Sequence, residues 1–304
     1  MNGGREEKMK QPIEKYEYTI TPIPFQEKSK KPKKIWINIV LFILTVFTTT
    51  FMGAVLQGGK VSFHWYLGGL KFSVPLMLIL GVHEMGHYIA SRRHDIDATL
   101  PYFIPAPTII GTFGAFIKIR EPIVNRRELM DIGAAGPLAG FVVAIPVLIW
   151  GLFTSHFVPV KEGFYGIKLG NSILMWLASR IILGNPPAGS DLFLSPPAFA
   201  AWIGLFVTSL NLLPIGQLDG GHIIYALMGE RSRRISWIVF LALIPLGFFW
   251  KGWVFWASVI FFFLGIKHPI TLDIFEPLDK KRKIIGYISI FVFIITFIPV
   301  PFSQ

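Results

Sequence analysis

The sequence predicts an all-α, polytopic membrane protein, and three observations carry that prediction. Of 304 residues, 53% are hydrophobic and only 15% charged, with a mean hydropathy of +0.57; soluble domains carry about 25% charged residues. The runs Ile35–Gly59, Ile132–Val160, Leu192–Leu218 and Ile284–Gln304 hold no charge, and each can cross ~30 Å of hydrocarbon at ~1.5 Å per residue. Finally, 23 Lys/Arg fall in residues 1–34, 91–128, 230–234 and 267–283, against six elsewhere. The two groups lie on alternate sides of the proposed spans, as the positive-inside rule requires.

Taken in order, residues 1–34 form a basic arm containing "EKSKKPKK". It is polar and leads into a span too long for a signal h-region, so no cleavable leader is expected and the N-terminus is cytoplasmic. Residues 35–71 comprise the first span and an outer loop. A second apolar run, Phe72–Ala90, contains Glu84. Residues 100–122 follow, where Pro101, Pro105 and Pro107 oppose a continuous helix. The alternation in "AFIKIR" (115–120) predicts a short strand within a re-entrant loop. The third span opens on "DIGAAGPLAGF", whose Gly133, Ala134, Ala135, Gly136, Ala139 and Gly140 allow close helix approach. Residues 184–197 read as an irregular outer loop. Beyond Leu192–Leu218, the runs Ile235–Trp250 and Gly252–Ile266 flank Lys251 and predict a tight helical hairpin. The last span brings the total to about seven. A net charge of +11 would suit nucleic acid, but its placement beside spans assigns it to topology and anionic headgroups. The lipid bilayer is therefore an expected partner and nucleic acid is not. Zero cysteines exclude disulfides and thiolate metal sites.

Within the second run, "GVHEMGHYIA" (81–90) puts two histidines and a glutamate in a segment built for lipid. On a helix His83 and His87 lie one turn apart on one face, where two imidazoles can bind one zinc ion. Glu84 beside them completes the H-E-x-x-H arrangement, in which the glutamate is a general base. Ionisable groups inside a span usually face a partner or a water-filled cavity. His94 lies near the same stripe, but "SRRH" marks the membrane boundary and a solvated role is expected. A catalytic zinc needs a third protein ligand. "TSLNLLPIGQLDGGHI" (208–223) offers Asp219 directly after a 27-residue uncharged run, with His222 as the alternative. Asn211 lies in the same run, where its amide could donate to an oxyanion or bond across helices.

HEMGH ending one apolar span, with "NLLPIGQLDGG" ending a later one, resembles the site-2 protease family of intramembrane zinc metalloproteases. The resemblance covers residues 72–230, and the flanking spans, including 231–304, match nothing specific. It implies a three-helix catalytic core, one zinc per chain held by His83, His87 and Asp219, and Glu84 as the residue that activates water. Asn211 would take the place of the family's substrate-binding or oxyanion asparagine. The sequence departs from many members in reading Gln217-Leu218 before Asp219, but the ligand and the following glycine are kept. The implied activity is hydrolysis of a membrane-protein substrate's transmembrane helix near the cytoplasmic face, with the cell membrane as the expected location. A metal-ion transporter using the same side chains, or an idle relative that binds membrane helices, are the alternatives.

Overall fold

A computed structural model describes residues 35–160, 168–266 and 277–303; the basic arm expected at 1–34 lies outside the described residues. The chain is mostly helical. It runs α1 (Ile35–Gln57), a short α2 (Phe63–Gly68), α3 (Leu70–Arg93), β1 (Tyr102–Pro105), β2 (Thr112–Phe116) and α4 (Arg126–Phe153). There follow β3 (His156–Pro159), β4 (Lys168–Leu169), α5 (Ile173–Leu183), β5 (Ser190–Phe193), α6 (Pro196–Asn211) and α7 (Asp219–Met228). The remainder is α8 (Ser232–Leu246), α9 (Gly252–Val259, continued by a π-helical stretch Ile260–Leu264), α10 (Lys280–Thr296) and β6 (Phe302–Ser303).

Among the described residues, three helical segments are long and apolar enough to cross a membrane: Ile35–Gln57, Phe63–Arg93 and Arg126–Phe153. The other expected spans form shorter helices, and local chemistry explains why. Leu192–Leu218 is not one helix. Its start pairs as β5, Ser195 caps α6 with Pro196 in the first turn, and the helix stops at Asn211. Pro214 and Gly216 (φ +54°) then turn the chain before α7. The sixteen residues of α6 reach only ~24 Å. In the last run, α10 ends at Thr296 ahead of Pro299 and Pro301, and Phe302–Ser303 pairs antiparallel with Lys168–Leu169. The expected hairpin around Lys251 is present as α8 and α9.

The third span begins earlier than its first uncharged residue. Asn125 accepts a hydrogen bond from the Glu128 N–H, and the Glu128 carboxylate accepts one from the Val124 N–H (2.9 and 3.1 Å). This reciprocal cap draws the charged "RRELMD" into α4. Asp279 caps α10 from one side only, its carboxylate accepting from the Arg282 N–H. The Arg282 backbone N–H and guanidinium hold its carboxyl down at about 2, so the cap stays charged above that pH and is lost only as pH falls through it.

The core lies where α3, α4 and α6 meet, with Phe72, Leu76, Ile79, Leu148, Trp202 and Ile203 almost wholly buried. Backbones approach closely here because side chains are absent: a methyl added at Gly86 would stand 2.6 Å from the Ala135 carbonyl oxygen, and one at Gly204 2.7 Å from Ile79. The strand expected at 115–120 is instead β2, paired with β1 through Tyr102↔Phe116, Phe103↔Ala115 and Pro105↔Thr112. Gly111 (φ +82°) turns the hairpin, and beyond β2 the alternating stretch runs beside residues 97–99: Ile119 bridges Ala98, the Lys118 carbonyl accepts from the Thr99 N–H, and the Arg120 N–H donates to the Asp97 carbonyl. Helix α1 holds this hairpin by polar contacts. Asn38 donates to the Leu100 and Pro101 carbonyls (2.9 Å each), Thr48 donates to the Gly111 carbonyl (2.7 Å), and Thr49 is hydrogen-bonded to Ser73 of α3 (2.6 Å).

Candidate metal centre

His83 and His87 do lie on one face of α3, and both are buried, with 3% and 7% of their surface exposed. Glu84 is equally buried at 7%. Opposite them stands Asp219, the first residue of α7. As an alternative to ligation, the aspartate could have capped this helix, but the capping position is Leu218 and makes no side-chain hydrogen bond. The Asp219 carboxylate instead turns to the histidines, with Oδ2 3.3 Å from His87 Nε2 and 3.5 Å from His83 Nε2.

Those spacings test whether a metal fits. Ligands ~2.05 Å from a tetrahedral zinc ion lie about 3.3 Å from one another. Two imidazole nitrogens and a carboxylate oxygen, all within 4.8 Å of each other, match that donor set and form the one such cluster among the described residues. The ring orientation fits too. His87 Nδ1 donates to the Ile132 carbonyl of α4 (2.8 Å), which leaves Nε2 with its lone pair facing Asp219. His222, the alternative third ligand, is not in the cluster; it sits one turn further along α7, where a methyl at Gly133 would come within 2.9 Å of its Cβ. His94 is no ligand either, but it is paired: its Nε2 donates to Asp131 of α4 at 2.9 Å.

Two other expected residues converge on the same place. Asn211, the last residue of α6, puts its amide nitrogen 3.2 Å from His83 Nε2. The Ile117 backbone N–H, just beyond β2, faces the Glu84 carboxylate. The hairpin thus reaches the acid that the sequence singles out.

Small residues make this convergence possible. A methyl at Gly136 would fall inside the His87 imidazole, and one at Gly140 would stand 3.1 Å from His83 Nδ1. The two glycines after Asp219 have a separate cause. The turn 212–216 folds back over the start of α7, so a side chain at Gly220 would collide with the Leu212 carbonyl and one at Gly221 with Gly216. Within that turn, Ser236 of α8 donates to the Pro214 carbonyl (3.0 Å), satisfying a backbone group that the break releases. The far end of α7 is tied as well, because Arg126 donates to the Ala226 carbonyl through Nε (2.9 Å) and a terminal nitrogen (2.5 Å). The sequence points to the clustered histidines and aspartate but not to these orienting partners, which come from distant segments.

Comparison with known proteins places the arrangement in context. Residues 71–245 match the model of peptidase family M50. The chain is 32% identical over 243 residues to the probable zinc metalloprotease EGY2, chloroplastic, of Arabidopsis thaliana, covering 77% of this chain and 42% of that protein. It is 34% identical over 279 residues to the EGY2 protein of Oryza sativa subsp. indica, covering 86% and 49%. Against the probable zinc metalloprotease EGY1, chloroplastic, of Arabidopsis thaliana it is 27% identical over 247 residues, covering 71% and 45%. The chain thus spans about half the length of the curated relatives it matches.

Proposed function

The chain belongs to peptidase family M50, the site-2 protease family, and on that premise we propose that it is an intramembrane zinc metalloendopeptidase. It hydrolyses peptide bonds in transmembrane segments of membrane proteins, near the cytoplasmic face. The observation that carries this reading is the convergence of Asp219 on buried His83 and His87, beside buried Glu84, on a helix apolar enough to cross a membrane.

His83, His87 and Asp219 would hold one zinc ion. When bound, zinc brings the pKa of a water ligand to about 7 and polarises a carbonyl. Glu84 accepts the proton of the attacking water on its carboxylate and delivers it to the leaving amide nitrogen. Asn211 donates its amide N–H to the oxygen on which negative charge develops. β2 pairs on one side only among the described residues. An unwound substrate could add along its other edge and so pass Ile117 toward Glu84. The substrate must open locally, since a helix keeps its carbonyls hydrogen-bonded.

Topology follows from the charges. His87 lies four residues, ~6 Å, from Ser91, and the basic Arg92 and Arg93 close α3. The contacts among His94, Asp131 and Arg282 bring the end of α3 and the starts of α4 and α10 to one side, which supports the alternation of basic segments. With α6, the α8–α9 hairpin and α10 completing about seven crossings, the protein is a multi-pass component of the cell membrane with a cytoplasmic N-terminus.

The deciding experiment combines metal analysis with cleavage of a transmembrane substrate of known orientation in proteoliposomes, products being mapped by mass spectrometry. About one zinc per chain and cuts in the cytoplasmic third are expected. Metal flux without cleavage would instead identify a transporter, and cuts in the outer leaflet would overturn the topology. Two variants refine the roles. Asp219→Ala should weaken zinc retention by more than about 100-fold, since loss of an outer partner alone costs ~10–100-fold; unchanged affinity would remove Asp219 from the site. Asn211→Ala should keep its zinc and lose roughly 10²–10³ in rate. A loss seen only as lower folded yield would leave Asn211 a packing residue.

A further inference from the structure

The metal-bearing face of α3 is fastened to α4 at two adjacent residues. His87 Nδ1 donates to the Ile132 carbonyl at 2.8 Å, and two turns later His94 Nε2 donates to the Asp131 carboxylate at 2.9 Å. Asp131 does not stand alone. Arg282, in the first turn of α10, grips it with two parallel hydrogen bonds, Nε to Oδ1 at 2.9 Å and a terminal nitrogen to Oδ2 at 2.5 Å. The other guanidinium nitrogen holds Asp279, the cap of α10, at 2.5 Å. His94, Asp131 and Arg282 are only 23–26% exposed, and Asp279 is 36% exposed. A two-point guanidinium–carboxylate contact fixes orientation as well as distance, which a point charge does not.

We propose that Arg282 is a positioning residue for the metal site. By fixing the Asp131 carboxylate it holds the α4 backbone at Ile132 where the His87 ring can donate to it, and so keeps His87 Nε2 aimed at Asp219 and His83. The proposal rests on the reading of those three residues as a zinc site. Arg282 lies outside the residues that match the family model, so the C-terminal helix becomes part of the working core. One device then orients both sides of the site, because α4 also carries Arg126, which holds the end of α7.

The test uses the full chain in detergent micelles, with zinc affinity measured by chelator competition and the ligand field read from the visible spectrum of the cobalt(II)-loaded protein. Arg282→Gln should weaken zinc binding by about 10–100-fold, the range for losing an outer partner of a metal ligand, and should shift the cobalt bands. Arg282→Lys, which keeps the charge but not the paired contact, should fall between the two. The control is Arg92→Gln, which removes an exposed ion pair with Asp97 on the same end of α3 and should leave both readouts at parental values. If Arg282→Gln aggregates, Asp131→Asn, nearly the same in size, should show the same weakening and band shift. Parental zinc affinity and an unshifted cobalt spectrum in a folded Arg282→Gln or Asp131→Asn protein would overturn the positioning role alone. A parent chain that binds no zinc would sink the metal-site reading and this inference with it.

Discussion

Replacing Glu84 by glutamine is expected to leave zinc bound and to lower cleavage by roughly 10²–10⁴-fold, the usual contribution of a positioned general base. The amide has the shape of the carboxylate and fits the same buried space, so the ligands and the helix that carries them should stay in place. It cannot accept a proton from water, and hence cannot return one to the leaving nitrogen. The comparison requires metal analysis of the same preparation that is assayed. A zinc-loaded Glu84→Gln protein turning over near the parental rate would remove Glu84 from the chemistry.

Gly136→Ala should do its damage by a wholly different route. The added methyl would overlap the His87 ring, and α4 cannot back away from α3 without breaking the His87–Ile132 hydrogen bond. Overpacking of this kind costs about 1–3 kcal/mol. If that strain is relieved by rotating the imidazole, zinc affinity should fall by about 10–100-fold, at ~1.4 kcal/mol per tenfold. Gly81→Ala is the matched control on α3 itself: its methyl would meet only Phe103, at an ordinary 3.7 Å. That variant should keep its zinc. Equal metal loss in both would mean that the helix, not the ring, is the sensitive element.

The metal site was the most legible feature of the sequence, for a physical reason. Histidines four apart and a carboxylate at the end of an uncharged run are anomalies in lipid, and the simplest way to neutralise them is together. Pro214 and Gly216 lie at the helix break before Asp219. Helix length was not legible. An uncharged run such as 192–218 sets an upper limit on a span, but Ser195 and Pro196 begin α6 late and the 212–218 turn ends it early. A single short strand was expected in this segment; it lies a few residues earlier than expected, and its pairing with β1 as a hairpin was not foreseen. Its register depends on Gly111 meeting the backbone of α1, and alternation in "AFIKIR" carries no trace of that contact. The Asp131 cluster was hidden altogether. Its members are 37 and 151 residues apart, and each reads locally as an ordinary boundary charge.

The contacts that α1 makes also bear on how the protein is made. A chain is synthesised from its N-terminus, so α1 is in the bilayer before residues 100–116 have left the ribosome. Its Asn38 and Thr48 side chains are therefore already waiting when the carbonyls of Leu100, Pro101 and Gly111 arrive. A two-stranded hairpin is marginal on its own, and in hydrocarbon its unpaired backbone groups would be worse off still. The first helix acts in this sense as a template. It gives a hairpin that is marginal alone a surface whose donors meet its backbone carbonyls.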